Sequence, residues 1–209
     1  MPEVRAVHPI VEEREKTTRM KRNSLVAAIT AFLALPCAAE PESYAVDPRH
    51  TFPTFEILHF GIAFQRGRFD KTSGTITLDM AARKGSAEIR IETTSVSTGV
   101  NLLDERLRTE EFFNSARFPQ ASFKSSDFGF EGDKLSSARG DLTLLGVTKP
   151  VTFKFTHFHC VIQPMLKRKA CGAEMTATIK RSEFGVTYGM SSLSDEVLLR
   201  VNVEAIKDS

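Results

Sequence analysis

From residue 44 onward, apolar and polar residues alternate along the chain with a period of two. The regular stretches are residues 75–79, 87–91, 141–144, 151–155, 173–179 and 197–205. Successive side chains of a strand face opposite sides of a sheet, so this pattern predicts antiparallel strands with one face on a core and one in water. Turn signals separate the stretches at residues 84–85, 132–133, 146–150 and 171–172. Many short strands at this spacing are typical of an all-β barrel or sandwich.

Residues 101–113 depart from the alternation and predict a short amphipathic helix. Asn101 is placed to cap this helix, and Asp104 falls in its first turn, where the helix dipole favours acidic side chains. Leu103 and Leu107 share one face at i, i+4 spacing. We expect the helix to lie on the β-structure or over its mouth.

The N-terminal residues predict an export signal in front of one folded domain. An apolar run at residues 25–35 follows a Met-Lys-Arg start and precedes small residues typical of a signal-peptidase site. The run is about half of the ~20 residues that span a bilayer, which favours a cleaved signal peptide over an uncleaved membrane anchor. Residues 1–19 are either an over-long gene start or a long n-region. We therefore assign residues 1–39 to an N-terminal extension and signal peptide, and residues 40–209 to one domain.

Composition narrows the classes of ligand that the domain would bind. The 28 Lys and Arg residues nearly balance 26 Asp and Glu residues, and no basic block suggests binding to nucleic acid. The chain has 16 Phe, 2 Tyr and no Trp, and an interior lined with Phe would be dry because this side chain has no polar group. A closed barrel of about eight strands is either packed with side chains or holds one slim ligand. Composition alone leaves both open.

Two cysteines remain once the signal is removed, Cys160 and Cys171. An even pair in an exported domain favours a disulfide over free thiols. Closing a loop of this length would contribute roughly 2–3 kcal/mol to stability, and we expect residues 161–170 to be the loop that it orders. The alternative is a metal site with His157 and His159, which would require reduced thiols outside the cytosol.

Short motifs follow one another in a defined order from residue 44 to residue 205. They are YAVDPRH (44–50), GRF (67–69), GTITLD (74–79), VST (96–98), RFP (117–119), GDLTLLGVTKP (140–150), IKRSEFG (179–185) and DEV (195–197). This ordered set resembles the YceI-like family of polyisoprenoid-binding, lipocalin-like proteins. One departure is Thr51, where the family more often has Ser; the hydroxyl is kept.

The resemblance implies an extended eight-stranded antiparallel barrel around a long, narrow apolar channel, in a periplasmic protein. Ligands implied for the family are isoprenoid lipids such as polyprenyl phosphates or the tail of ubiquinone. A loop disulfide like the one expected here occurs in part of the family. We therefore predict a protein that binds, and sequesters or carries, an isoprenoid lipid in the periplasm, with no resident cofactor or metal.

A ligand channel would use the inward positions of the predicted strands. The candidate channel residues are Phe55, Ile57, Ile76, Leu78, Ile89, Phe123, Leu142, Phe153, Phe155, Met175 and Val201. For each of them, plain core packing is an equal alternative. Met175 is favoured slightly for ligand contact because a flexible thioether adapts to irregular shapes.

A lipid head group would need polar side chains at a rim, and the candidates are Arg49, His50 and His59. An Arg fork suits a phosphate or a quinone oxygen, and Asp47 is placed to orient its neighbours. The alternative is a structural hydrogen-bond cluster at one barrel end. Arg181 is expected to plug a barrel end structurally.

Two surface features could contact other molecules. Residues 167–169 form a basic cluster that is either solvated or in contact with an anionic head group or membrane surface. A sheet edge or the amphipathic helix would be available for a homodimer, although no residue requires one.

Catalytic motifs for nucleophilic, zinc or dinucleotide chemistry (GxSxG, HExxH and GxGxxG) do not occur in the sequence. We therefore predict that the protein is not an enzyme. Two alternatives remain: an enzyme that acts on an isoprenoid or quinone through the His50 and His59 region, and a filled barrel that serves as a stress or scaffold protein.

Overall fold

The computed structural model describes residues 40–209, and strands make up most of this part. They are β1 (Glu42–Val46), β2 (Phe52–His59), β3 (Ala63–Phe69), β4 (Thr72–Asp79), β5 (Lys84–Glu92), β6 (Val96–Ser97), β7 (Gln120–Glu131), β8 (Lys134–Leu144), β9 (Val147–Gln163), β10 (Arg168–Lys180) and β11 (Leu193–Lys207). The α-helix of this part is α1 (Asn101–Leu107), and short 3-10 turns lie at Thr93–Ser95 and Arg181–Phe184. The predicted signal peptide and N-terminal extension fall outside the described residues.

The strands close into an eight-stranded antiparallel barrel. Three of the eight positions each hold two short strands end to end, β1 followed by β2, β3 followed by β4, and β5 followed by β6. The remaining positions follow in the order β7, β8, β9, β10 and β11. Strand β11 closes the barrel because it pairs with β10 on one side and with both β1 and β2 on the other. The predicted all-β barrel with one short helix is confirmed.

The alternation seen in the sequence is the inside-outside alternation of the barrel wall. On β10, Ala173, Ala177 and Ile179 are buried, whereas Glu174 and Thr178 between them are exposed. Because the face of each strand is set by this period of two, the hydrophobic positions define the barrel interior.

The hairpin of β9 and β10 differs from the sequence prediction. Residues 161–170 were expected to form a loop, but β9 runs through Gln163 and β10 begins at Arg168, so only a tight turn joins them. The turn expected at residues 171–172 is also wrong, because Cys171 lies within β10 directly opposite Cys160. The two cysteines form the predicted disulfide, which therefore joins neighbouring strands and excludes them as metal ligands.

The turn expected at residues 146–150 is shorter than predicted. Only Leu145 and Gly146 lie between β8 and β9, both with positive φ (51° and 75°), and Pro150 lies within β9 opposite Asp141. A two-residue turn with positive φ is the connection that matches the twist of a hairpin. Turn residues in the sequence predicted longer connections than the structure has, because β8 and β9, and likewise β9 and β10, stay hydrogen-bonded close to their ends.

Removal of the disulfide is expected to lower the free energy of unfolding by about 2–3 kcal/mol, because the cross-link restricts the unfolded chain. Urea unfolding of the Cys160→Ser/Cys171→Ser variant, compared with the oxidised protein, measures this difference. The reduced wild-type protein should match the variant. Equal stability of the oxidised protein and the variant would contradict a stabilising role.

Helix α1 is shorter than the predicted segment and begins differently. It ends at Leu107, turns replace residues 108–113 of the prediction, and Val100 rather than Asn101 occupies the N-cap position. The Asp104 carboxylate accepts hydrogen bonds from the backbone N–H and the hydroxyl of Thr98, both 2.7 Å long. This buried carboxylate fixes the segment that enters the helix. Within residues 40–209, no helix has the length and apolar composition needed to cross a membrane.

A cluster of ion pairs links β1, β10 and β11 where β1 and β11 close the barrel. Glu42 on β1 accepts hydrogen bonds from Lys169 on β10 and Lys207 on β11, and from the Tyr44 hydroxyl. The hydrogen bonds from Lys169, Lys207 and Tyr44 lower the pKa of Glu42 to about 2. The carboxylate therefore stays ionised where an ordinary glutamate takes up a proton.

This pKa shift predicts a component of acid sensitivity. A carboxylate with a lowered folded-state pKa stabilises the fold above its ordinary pKa of 4.5, and this contribution is lost as the pH falls towards 2. We expect Glu42→Gln to lower the free energy of unfolding by about 1 kcal/mol at pH 7, a modest value because the cluster is partly exposed. The difference from wild type should shrink between pH 4.5 and 2 in unfolding curves. A difference independent of pH would contradict the assignment.

Candidate functional site

The barrel encloses an apolar cavity of about 570 Å³. This volume is typical of sites that hold a small organic ligand. All eleven candidate channel residues border the cavity: Phe55, Ile57, Ile76, Leu78, Ile89, Phe123, Leu142, Phe153, Phe155, Met175 and Val201. The structure therefore places them on one continuous inner surface, and their contact with a ligand stays a prediction.

The inward-facing side chains of the barrel do not fill its interior. Phe123 and Phe153 are buried, with 8% and 5% of their surface exposed, and their rings meet edge to face at 5.1 Å. Ile57, Ile89 and Met175 also face the cavity but are only partly buried. A close-packed core would leave few such gaps. The barrel interior is therefore not packed with side chains alone, and the presence of a ligand in this space stays a prediction.

Aromatic rings form much of the cavity wall near β2 and β3. The rings of Phe55, Phe69 and Phe113 contact one another at centroid distances of 5.2–6.0 Å. The tip of the Phe55 ring points at Gly67, where a Cβ atom would come within 2.3 Å of its Cζ. Gly67 therefore makes room for this aromatic cluster.

The two ends of the cavity differ in exposure. At one end its walls are Tyr44, Leu78 and Cys171, which are between 1% and 7% exposed. At the other end, residues that border the cavity are themselves exposed, among them Gln65 and Tyr188. The cavity therefore opens at the end formed by the β2–β3 turn, α1 and residues 186–194. We call this end the mouth and residues 186–194 the mouth loop.

A buried arginine fixes the mouth loop. The Arg181 guanidinium donates hydrogen bonds of 2.7–3.1 Å to the backbone carbonyls of Val186, Tyr188, Leu193 and Ser194. Arg181 is 4% exposed, and burial lowers its pKa from the ordinary range. These contacts agree with the structural role expected for Arg181, since four of its five N–H groups hold backbone.

The three head-group candidates lie at opposite ends of the barrel. His59 ends β2 at the mouth and borders the cavity. Arg49 and His50 precede β2, and its eight residues separate them from His59 by roughly 20 Å or more. Arg49 and His50 are not among the residues that border the cavity.

Arg49 and His50 instead surround a buried carboxylate. Asp47 accepts hydrogen bonds from the Arg49 guanidinium at 3.1 and 3.2 Å and lies 2.9 Å from Nδ1 of His50. The hydrogen bonds from Arg49, with a further one from His50, hold the pKa of Asp47 well below its usual range. This geometry matches the alternative of a structural hydrogen-bond cluster.

One polar group that the sequence did not indicate faces the cavity. Thr72 is 3% exposed and borders the cavity, and its hydroxyl has no hydrogen-bond partner among residues 40–209. A buried hydroxyl without a partner costs free energy, so a water molecule or a ligand oxygen would be favoured beside it. In the sequence, the only sign of this polar group is a threonine at an inward-facing position of β4.

The remaining sequence candidates lie away from the cavity. His157 and His159 are exposed on β9, and across the described residues no three His, Cys, Asp or Glu side chains converge on a metal position. In the basic cluster, Lys169 pairs with Glu42, while Lys167 is exposed in the turn.

The chain is similar to known proteins over the whole barrel. The family model described as "YceI-like domain" matches residues 44–205, which is the barrel. The protein YceI of Salmonella arizonae is 36% identical over 193 residues, covering 90% of this chain and 99% of the Salmonella protein. The protein YceI of Salmonella enteritidis matches to the same extent.

Solved structures of lower identity share the fold. BcnA of Burkholderia cenocepacia is 23% identical, with a TM-score of 0.64 over 76% of this chain and 98% of BcnA. A domain from Saccharophagus degradans, described as polyisoprenoid-binding, is 18% identical with a TM-score of 0.60, over 80% and 99% of the two chains. With the family match over the whole barrel and full-length relatives at 36% identity, the chain belongs to the YceI-like family.

Proposed function

We propose that this protein binds the isoprenoid chain of a lipid inside its barrel and sequesters or carries that lipid in the periplasm. The observation that carries the proposal is the hollow apolar interior, about 570 Å³ in volume and open at the mouth. Most of the wall consists of aliphatic and aromatic side chains, which suits a hydrocarbon chain.

Burial of apolar surface supplies enough free energy for such binding. Each buried methylene contributes about 0.8 kcal/mol, so ten of them would contribute on the order of 8 kcal/mol before the costs of association. No precise polar contact is needed along the chain. Specificity then depends on the length and shape of the cavity.

The polar end of the lipid would lie at the mouth. His59 and Gln65 border the cavity at this end, whereas the Arg66 side chain pairs with Glu56 on the outer face of the barrel. The imidazole and amide N–H groups of these two side chains can donate hydrogen bonds to a phosphate or a quinone oxygen. At the opposite end Tyr44 and Leu78 close the barrel, so the hydrocarbon end would enter first.

Two further considerations support the ligand class and the compartment. The Saccharophagus degradans domain of the same fold is described as polyisoprenoid-binding, which favours an isoprenoid over other apolar chains. The predicted signal peptide and the Cys160–Cys171 disulfide favour an oxidising compartment such as the periplasm.

The structure gives less support to the two alternative functions, an enzyme and a filled-barrel scaffold. An enzyme that used His50 and His59 together would need them on one substrate, yet they lie at opposite ends of β2. A scaffold with a filled barrel would need a packed interior, whereas Ile57, Ile89 and Met175 border open space. Binding therefore accounts best for the structure.

Displacement of an apolar fluorescent probe from the cavity tests the proposal. Geranylgeraniol should displace the probe, and stearyl alcohol, a straight chain of similar length, should compete at least about tenfold more weakly if shape selects the branched chain. Equal competition by both would support a general lipid carrier and contradict isoprenoid specificity. Failure of the probe and of both alcohols to bind would contradict lipid binding altogether.

A further inference from the structure

Large apolar side chains surround the mouth on its outer surface. Ile62 in the β2–β3 turn is 84% exposed and Leu102 on α1 is 78% exposed. Phe60, Val100, Tyr188 and Met190 are between 45% and 63% exposed. We call these six residues the apolar rim. Exposed apolar groups gathered in one place mark an interaction surface.

The three segments that carry the apolar rim contact one another. The backbone N–H of Phe60 donates a 2.6 Å hydrogen bond to the carbonyl of Ser192 in the mouth loop. The Tyr188 ring lies 5.4 Å from the Phe112 ring and 5.0 Å from the Arg106 guanidinium of α1. The apolar rim is therefore one surface held in place around the opening.

The charge pattern of this surface is unusual for exposed loops. Residues 60–65 and the mouth loop, residues 186–194, contain no charged residue, although 26% of the chain is charged. An exposed loop of a soluble surface normally carries charge. Aromatic and aliphatic residues without charge at the tip, with arginines such as Arg66 and Arg106 behind them, are typical of groups that enter the interfacial layer of a bilayer.

We propose that the apolar rim inserts into the surface of a lipid bilayer and places the mouth of the cavity against the membrane. A lipid chain that leaves a bilayer through water exposes its whole apolar length, and a mouth seated in the interface removes that exposure. The apolar rim continues directly into the cavity wall, because Tyr188 belongs to both. The β2–β3 turn and the mouth loop carry no charge, and α1 carries both signs in Glu105 and Arg106, so neutral lipids suffice and salt has little effect.

The absence of tryptophan from the chain allows a local test. The variants Ile62→Trp and Leu102→Trp each place a single tryptophan on the apolar rim, and Met165→Trp places one in the β9–β10 turn, where Met165 is 88% exposed. Each full-length variant is mixed with phosphatidylcholine vesicles that contain a brominated phosphatidylcholine. These lipids include no isoprenoid.

We expect the tryptophans at Ile62 and Leu102 to shift to shorter wavelength and lose about half of their emission, since they enter the interface, while the tryptophan at Met165 does not change. An Ile62→Ser/Leu102→Ser background carrying Tyr188→Trp should lose the quenching seen with Tyr188→Trp alone. Equal quenching of the tryptophans at Ile62, Leu102 and Met165 would overturn the proposal. Quenching of none of them would overturn it as well. A blue shift without vesicles that rises with protein concentration would also overturn it and indicate a second copy of the chain.

Failure of this proposal and failure of lipid binding are distinguishable. The probe-displacement assay needs no vesicles, so a protein that binds geranylgeraniol but leaves its rim tryptophans unquenched would keep the proposed function and lose the docking surface.

Discussion

Replacement of Met175 by tryptophan is expected to reduce isoprenoid binding at least about tenfold, the largest effect on function that a single change in the cavity should have. Met175 packs against the buried cluster around Phe153 and against the cluster around Val203, so it lies where the two meet along the barrel. A rigid indole at this position would occupy space that the ligand chain needs.

The same substitution should leave the fold intact. Overpacking destabilises a filled core by about 1–3 kcal/mol, but Met175 borders open space. We therefore expect the free energy of unfolding without lipid to be unchanged or higher. Probe displacement and urea unfolding measure the two effects separately.

Thr178→Trp is the matched control, because Thr178 lies on the same strand but is exposed on the outer face. It should bind lipid as the wild type does. If Met175→Trp bound geranylgeraniol normally while remaining folded, the ligand would not pass the middle of the barrel, and the proposed site would be wrong.

The substitution Arg181→Leu is expected to have the largest effect on stability, lowering the free energy of unfolding by about 3–5 kcal/mol. It removes a charged donor from the carbonyls of Val186, Tyr188, Leu193 and Ser194. These acceptors would lose charge-assisted hydrogen bonds, and the leucine side chain offers no replacement. Urea unfolding at neutral pH measures the loss.

Two variants separate the role of this guanidinium from the loss of any arginine. Arg181→Lys keeps the charge but not the fork of donors, so it should recover only part of the stability. Arg200→Leu removes an exposed arginine whose partner is Glu56 and should cost less than about 1 kcal/mol. Equal costs for Arg181→Leu and Arg200→Leu would contradict the assigned role.

The sequence predicted the faces of the strands well because the period of two is a local property. Alternation alone put Met175 and Val201 on the inward face of their strands, and both border the cavity. The same alternation on β11 would also have included Val197, Leu199 and Val203, which border the cavity. Local patterns suffice wherever one face must be buried.

The ends of the elements and of the barrel could not be predicted in this way. Alternation gives the face of β2 but not which end of the barrel His50 and His59 occupy, and this decides whether they act together. The hairpin at residues 161–170 and the length of α1 depend on partner strands and on the Asp104–Thr98 contacts. The mouth loop has no periodic pattern, so Tyr188 and its neighbours gave no signal.

Native mass spectrometry of the protein, purified without detergent from cells that make isoprenoid lipids, tests the central claim most directly. We predict a stoichiometric adduct with the mass of an isoprenoid lipid such as a polyprenyl phosphate or a quinone, which Met175→Trp loses and Thr178→Trp keeps. A protein that shows only its own mass and takes up no added geranylgeraniol would contradict the account.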